Sequence, residues 1–181
     1  MRVHSTALPG VLVIEPVVRT DERGFFLEAW HETKYREVGI DLPFVQDNHS
    51  RSVQGVLRGL HYQLQQPQGK LIRVVTGDVF DVAVDLRRSA RTFGQWFGVV
   101  LSGANQKQLW VPPGFAHGFY TLTASADVLY KCTDFYVPQH SHTLRWDDPN
   151  IGIKWPLVDS PPTLTPQDAA GLGLREAAAY D

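Results

Sequence analysis

Two cations and an imidazole lie close together in one apolar stretch of the sequence. Arg58 and His61 belong to a run from Val56 to Gln63 that is otherwise typical of a strand, and Lys70 follows shortly after it. Arginine and lysine can hold an anion or a developing oxyanion, and an imidazole can take or give a proton near neutral pH. The stretch is therefore a candidate active site, although such residues also occur on the surface or in a satisfied core.

A second signal is the proline-rich turn at Pro112-Pro113-Gly114, which leads to His117 at the start of a predicted strand. This spacing resembles the second motif of the cupin superfamily, P-x-G-x-x-H. The first cupin motif has two histidines one residue apart and then a glutamate, but here Gln63 stands in place of the second histidine. No acidic residue follows before Asp78. Metal sites need three or four convergent ligands, so we expect a metal-free cupin without a cofactor.

The elements that must position these residues are short strands. Alternating apolar residues bounded by Gly or Pro predict them throughout the chain, and the alanine-rich composition from Gln167 onward favours a helix. The predicted strands are Leu12–Val18, Gly24–Trp30, Lys70–Thr76, Val79–Leu86, Gly94–Leu101, Gln108–Val111, His117–Thr123 and Asp127–Tyr136, with an extended polar segment at Phe44–Ser50 and one short helix at His31–Val38. Such a pattern indicates an all-β sandwich or barrel. With the cupin motif, we expect a cupin-type double-stranded β-helix, or jelly roll, with a few short helices.

Length and composition favour one soluble domain. The chain has 181 residues, of which 43% are hydrophobic and 20% charged, and its formal net charge is −2. We expect a single domain over 1–181, with N-terminal strands and a short helix at about 1–50, a barrel core at 51–146 and a tail packing on the barrel at 147–181. The charge gives no general attraction to nucleic acid or membrane surfaces. The single cysteine, Cys132, and the lack of a signal or membrane segment favour the cytoplasm.

Many further motifs occur in an order that resembles one family, the dTDP-4-dehydrorhamnose 3,5-epimerases. The resemblance covers nearly the whole chain. It rests on Asp21-Glu22-Arg23-Gly24-Phe25-Phe26, Gln46-Asp47-Asn48-His49-Ser50, Leu57-Arg58-Gly59-Leu60-His61, Gln68-Gly69-Lys70, Gln108-Leu109-Trp110-Val111-Pro112, Gly114-Phe115-Ala116-His117-Gly118-Phe119 and Tyr130-Lys131-Cys132-Thr133. Agreement of this kind is not explained by chance.

The resemblance implies acid–base chemistry next to a ketone. A 4-keto sugar acidifies the hydrogens on C3 and C5, and epimerisation needs a base on one face of the ring and an acid on the other. The family assigns the base to His61 and the acid to Tyr130, while Lys70 is the natural cation for the enolate oxygen. It also assigns an orienting aspartate, which matches Asp168 in the tail. Asp81 is a second acidic candidate for that role.

The resemblance also implies a binding site for a dTDP-4-keto-6-deoxyhexose. Cations would face the pyrophosphate, polar side chains would reach the other edges of the ligand, and one tyrosine would stack on thymine. The residues are Arg23, Glu28, Gln46, Asn48, Arg58, Lys70, His117 and Tyr136. A homodimer is expected, with N-terminal strands contributing to the partner's sheet. Two positions depart from the family: Ser141 replaces a usual acidic contact, and Gln167 replaces a usual lysine.

Strand parity gives one expectation and one difficulty. Tyr130 and Tyr136 share a face if the strand Asp127–Tyr136 is regular. Arg58 and His61 are three residues apart, so a regular strand would put them on opposite faces. A bulge at Gly59 would reconcile them.

Three alternatives to 3,5-epimerisation stay open at this point. The first is a relative that inverts C3 or C5 alone, or a ketoisomerase that moves the ketone between C3 and C4. The second is a catalytically silent nucleotide-sugar binding module, for which loss of His61 or Tyr130 would be expected. The third is a metal-dependent cupin oxygenase, which Gln63 and the missing glutamate disfavour.

Overall fold

The computed structural model describes residues 1–158 and 161–181 and consists mainly of antiparallel strands. The strands are β1 (Arg2–Ser5), β2 (Leu12–Glu15), β3 (Val18–Asp21), β4 (Gly24–Leu27), β5 (Gln46–Val53), β6 (Leu57–Gln63), β7 (Lys70–Thr76), β8 (Asp78–Asp85), β9 (Trp96–Ser102), β10 (Gln108–Val111), β11 (Phe115–Thr121), β12 (Ser125–Cys132) and β13 (Ser141–Thr143). Two short helices, α1 (Glu32–Arg36) and α2 (Pro166–Ala169), and a 3₁₀ turn at Pro138–His140 complete the regular elements.

Two antiparallel sheets face each other as a cupin-type sandwich. One has the strand order β1-β2-β10-β7-β12-β5 and the other the order β13-β6-β11-β8-β9. Strands β3 and β4 form a separate hairpin whose residues are mostly exposed. The all-β cupin prediction is confirmed.

Apolar side chains fill the space between the sheets and cover both outer faces. The interior cluster joins residues of both sheets, such as Ile72 and Val128 with Ala83 and Phe119. The tail packs on the outer face of the five-stranded sheet, where Ala177 belongs to the same cluster as residues of β6, β8 and β11. Helix α1 and the segment after it cover part of the outer face of the six-stranded sheet. Burial on this scale is the main stabilising contribution to such a fold.

Several element boundaries differ from the predicted ones. Strands β7 and β10 have the predicted bounds, whereas the first predicted strand ends at Glu15 and resumes as β3, because Pro16 follows. Strand β12 ends at Cys132 instead of Tyr136, and the alanine-rich end of the chain is not helical beyond Ala169. In the described residues no helix is long and apolar enough to cross a membrane.

Candidate active site

Two adjoining cavities, each of about 270 Å³, lie between the two sheets. Their walls share four residues, namely His61, Lys70, Tyr130 and Gln167. The first cavity extends to Gln46, Asn48 and Tyr136, and the second extends to Arg58, His117 and Asp168. All but two of the sequence-predicted site residues therefore border one continuous polar region of the interior.

His61 is held by a buried carboxylate from the tail. Its Nε2 lies 2.5 Å from Oδ1 of Asp168, which is 2% exposed. Asp168 belongs to α2, and the N-cap residue Thr165 donates its hydroxyl to Oδ2 at 2.9 Å. Burial raises the pKa of Asp168, but hydrogen bonds from His61, Thr165 and the Gly59 N–H outweigh it and leave this pKa lowered. The carboxylate stays ionised, so in a neutral imidazole it fixes the proton on Nε2 and leaves the Nδ1 lone pair free.

The second candidate for orienting His61, Asp81, has a different partner. Its Oδ1 lies 2.8 Å from Nε2 of His117, and both side chains are buried. Strand β11, which carries His117, lies between β6 and β8 in the sheet, so Asp81 on β8 is one strand too far from His61. The interpretation of Asp81 as a partner of His61 is wrong.

Lys70 and Tyr130 lie on the other sheet and face the same cavities. Burial lowers the pKa of Lys70, and the negative charge of the buried Asp81 carboxylate acts in the opposite direction. Burial raises the pKa of Tyr130, so this phenol is protonated at neutral pH and can donate. Because His61 comes from the five-stranded sheet, base and acid candidates lie on opposite walls.

The Gly59 bulge is present. His117 of β11 pairs with His61 of β6, and Phe119 pairs with Arg58. One residue lies between the two on β11 but two residues lie between them on β6, so the register shifts. Gly59 has φ of +122°, and an added Cβ would lie 2.6 Å from Cα of Gly118. Only glycine fits such a close approach with that dihedral. As a result, Arg58 and His61 border the same cavity.

Arg58 is held by the neighbouring strand β5. Its Nε donates to Oγ of Ser52 at 2.9 Å, and a terminal nitrogen donates to the carbonyl of Arg51 at 3.3 Å. Alternate side chains of β5 (Gln46, Asn48 and Ser50) continue along the cavity walls. Sequence reasoning found the first two but missed Ser50 and Ser52, which the period of two along the strand would have indicated. It also missed Thr165, although Thr165-Pro166-Gln167-Asp168 is a typical helix-start pattern.

Tyr136 reaches the first cavity from a loop. Tyr130 and Tyr136 border the same cavity, as expected, but the predicted regular strand through Tyr136 is wrong, because β12 ends four residues earlier. Its backbone N–H donates to Oε1 of Gln46 at 2.9 Å, and Nε2 of Gln46 donates to Asn48. The tyrosine ring is half-exposed at the cavity edge, where a planar ligand could stack on it.

Arg23 and Glu28 do not lie at the cavities of their own chain. Arg23 is at the tip of the β3–β4 hairpin, and its exposed guanidinium pairs with Asp21. Glu28 follows the hairpin and pairs with Lys34 at 2.7 Å. Within one chain, these two side chains make only local ion pairs.

The described residues contain no group of three or more His, Cys, Asp or Glu side chains that could hold a metal ion. Nearest to the cupin metal position, His61 and His117 each bind an aspartate instead. At that position Gln63 binds backbone groups through its amide. The site can thus perform proton transfer and anion binding with its own side chains.

Fold and site together define a cupin-type β-sandwich with a candidate base and a candidate acid on opposite walls of a cavity between its sheets. A family model described as dTDP-4-dehydrorhamnose 3,5-epimerase matches residues 5–176. A Pseudomonas aeruginosa protein of that name is 51% identical over 178 residues, covering 98% of both chains. The chain belongs to the dTDP-4-dehydrorhamnose 3,5-epimerase family, a family of isomerases.

Two further similarities agree with this membership. A Neisseria gonorrhoeae dTDP-4-dehydrorhamnose 3,5-epimerase is 54% identical over 177 residues, and the chain spans 54% of its length. The crystal structure of a Legionella pneumophila dTDP-6-deoxy-D-glucose-3,5-epimerase in complex with dTDP-4-keto-L-rhamnose superposes with a TM-score of 0.95 at 52% identity. The superposition covers 98% of this chain and 94% of the Legionella pneumophila chain.

Proposed function

We propose that this epimerase inverts C3 and C5 of dTDP-4-dehydro-6-deoxy-D-glucose, which gives dTDP-4-dehydro-L-rhamnose, without a cofactor. The observation that carries the proposal is the His61–Asp168 pair on one wall of a cavity whose opposite wall carries Tyr130. A base and an acid on opposite sides of a ring are what inversion at a carbon next to a ketone requires. Lys70, on the wall shared by both cavities, is the cation for the ketone oxygen.

The proton transfers follow from the hydrogen bonds. Nδ1 of His61 takes the proton from C3 or C5, the C–H electron pair becomes an enolate on the C4 oxygen, and Asp168 stabilises the imidazolium through Nε2. The ammonium of Lys70 offsets the enolate charge. The phenol of Tyr130 then gives its proton to the same carbon from the other side. The phenolate regains a proton from water and the imidazolium of His61 gives its proton to water, so both groups return to their starting states. The sequence of steps repeats at the second carbon.

The remaining predicted residues would bind the nucleotide. Arg58 faces the diphosphate, Gln46, Asn48 and His117 reach polar edges of the ligand, and Tyr136 stacks on the thymine. These residues border the two cavities that also contain the acid–base groups.

We also propose a cytoplasmic homodimer of single-domain chains, in which the β3–β4 hairpin of one chain supplies Arg23, and the residue after the hairpin supplies Glu28, to the other chain's site. Two aromatic side chains on this hairpin, Phe25 and Phe26, are exposed, the second to 70%. Neighbouring exposed apolar side chains are typical of a protein–protein interface, which supports the proposal. A complementation assay tests it. Arg23→Ala and His61→Asn chains, mixed and allowed to exchange, should regain part of the activity that each lacks alone, because one site of the mixed dimer is then intact. If each hairpin served its own cavity, mixing would restore nothing.

The reaction itself is tested by proton exchange. The protein is incubated with the 4-keto nucleotide sugar in D₂O, and C3 and C5 are followed by NMR. Deuterium at both carbons and inversion at both support 3,5-epimerisation, whereas deuterium at one carbon alone identifies a single-centre epimerase. Deuterium at neither carbon contradicts the proposal.

Variants separate the roles of the two proton-transfer groups. We expect His61→Asn to abolish exchange while dTDP binding stays within a few-fold, and Tyr130→Phe to slow inversion more than exchange. His4→Asn, an exposed histidine on β1, is the matched control. Full activity of His61→Asn would remove His61 from the role of base, and an unchanged rate and product in Tyr130→Phe would do the same for the acid.

A further inference from the structure

Gln63 is the residue that stands in place of the second cupin histidine, and its buried amide is fully bonded to backbone groups. Gln63 is 3% exposed. Its Nε2 donates to the carbonyls of Gln66 at 2.8 Å and Phe135 at 3.2 Å. Its Oε1 accepts from the N–H of Val137 at 2.8 Å. The two donors and the acceptor of the amide are all used.

These bonds bracket Tyr136. Gln63 binds the carbonyl of Phe135, the residue before Tyr136, and the N–H of Val137, the residue after it. Its own N–H is held by Gln46 from the other sheet. Since β12 ends at Cys132, this segment pairs with none of the described strands, and amide side chains bind the backbone groups that a strand would bind. Three consecutive residues are thus fixed at the rim of the first cavity.

We propose that Gln63 is a positioning residue that holds the ring of Tyr136 in the orientation in which it stacks on the nucleobase of the substrate. The inference rests on the proposed function, in which Tyr136 binds the nucleotide. Fixing the ring before the ligand arrives removes an ordering cost from binding. Neither glutamate nor histidine can replace the amide, because an ionised carboxylate has no donor and an imidazole cannot make all three bonds at these positions.

The effect belongs to binding and not to proton transfer. Gln63 and Tyr136 border the first cavity alone, whereas Asp168 borders the second cavity and His61 borders both. The three bonds of the Gln63 amide go to backbone groups of other residues, while His61 is held by Asp168. If loosening the loop leaves Tyr136 correctly placed in a tenth of the molecules, the apparent Kd for dTDP rises about tenfold. The KM for the nucleotide sugar should rise similarly, with kcat within about twofold.

The experiment is a double-mutant cycle with dTDP as the probe, measured by isothermal titration calorimetry. Gln63→Glu and Gln63→Met are made alone and together with Tyr136→Ala; the methionine variant removes all three bonds without adding a charge. Gln54→Met is the matched control, because Gln54 also donates its amide to a backbone carbonyl but lies outside both cavities. Thermal unfolding of every variant checks that each protein is folded at the temperature of the binding assay.

The expected result is a roughly tenfold loss of dTDP affinity from each Gln63 substitution, which disappears when Tyr136 is already alanine. An equal loss in both backgrounds would show direct contact between Gln63 and the ligand and overturn the positioning role, as would no loss in either. If Tyr136→Ala alone leaves dTDP binding unchanged, the proposed stacking by Tyr136 fails first, and the role of Gln63 fails with it. Exchange at C3 and C5 in D₂O stays a separate test of the reaction.

Discussion

Replacement of Asp168 by asparagine isolates the charge that stabilises His61 during proton abstraction. Asparagine has nearly the same shape, and with its carbonyl oxygen towards His61 it accepts the Nε2 hydrogen and keeps the tautomer. Asp168 is buried, and its oxygen lies 2.5 Å from His61. Two unit charges centred about 4 Å apart interact by about 4 kcal/mol at an effective dielectric constant of about 20. Loss of that stabilisation in the transition state corresponds to a fall in kcat of about 10³-fold.

The assay for Asp168→Asn is single-turnover deuterium incorporation at C3 and C5, with dTDP affinity measured in parallel. We expect affinity within a few-fold, because the substitution leaves the nucleotide contacts intact. Asp41→Asn, an exposed aspartate after α1, is the control for the loss of a carboxylate. A fall in rate of less than about tenfold would refute the assignment of Asp168 as the charge that stabilises the imidazolium.

Three further outcomes follow from the structure. Thr165→Val removes the hydroxyl on Asp168 and should lower kcat by about 10- to 100-fold, which Thr165→Ser largely restores in the same exchange assay. Gln167→Lys adds a cation to both cavities and should tighten dTDP binding several-fold in calorimetry at low salt, with the gain fading near 1 M salt. Burial raises the pKa of Asp85, but its bonds from Arg87 and Thr92 outweigh this and leave the pKa lowered. Its contribution to stability is therefore present above the unfolded pKa of about 3.9 and lost as the pH falls through the lower folded value. Asp85→Asn should cost about 2 kcal/mol at pH 7 and flatten the pH dependence of urea unfolding below pH 4.

Each of these three predictions has an outcome that would contradict it. Equal rates for Thr165→Val and Thr165→Ser would show that the hydroxyl does not act on Asp168. A gain in affinity from Gln167→Lys that persists in 1 M salt would not be electrostatic. A pH dependence in Asp85→Asn as steep as in the parent would assign acid unfolding to other carboxylates.

The strands were predictable where local signals mark both ends. Strand β7 lies between Gly69 and Gly77, and β10 ends at the pair Pro112-Pro113, so both have the predicted bounds. Strand β12 was not predictable in the same way, because the alternation continues beyond Cys132. Cys132 pairs with the first residues of β5 and β7, and in the described part of the chain neither strand continues beside the residues after Cys132. A strand ends where its neighbours end, and that is a property of the sheet.

The proposed catalytic residues were identified through family motifs, but their hydrogen-bond partners depend on the order of strands. Spacing along the chain left two aspartates as possible partners of His61. The structure decides between them because β11 separates β6 from β8, so that Asp81 binds His117 and Asp168 of the tail binds His61. The distance along the chain between His61 and Asp168 carries no signal of this contact. A short helix capped by Thr165 was the one local indication.

The Gly59 bulge shows how far local reasoning reaches into the site. A spacing of three between Arg58 and His61 demands an extra residue if both are to face one cavity, and the glycine between them is the residue type that permits it. The spacing does not indicate the second glycine that the arrangement needs. Gly118 on β11 lies against Gly59, and a side chain on either would force the two strands apart. The joint placement of the proposed phosphate-binding and proton-transfer groups therefore depends on two glycines from different strands. Of these two, only Gly59 is adjacent in sequence to a residue that the pair positions.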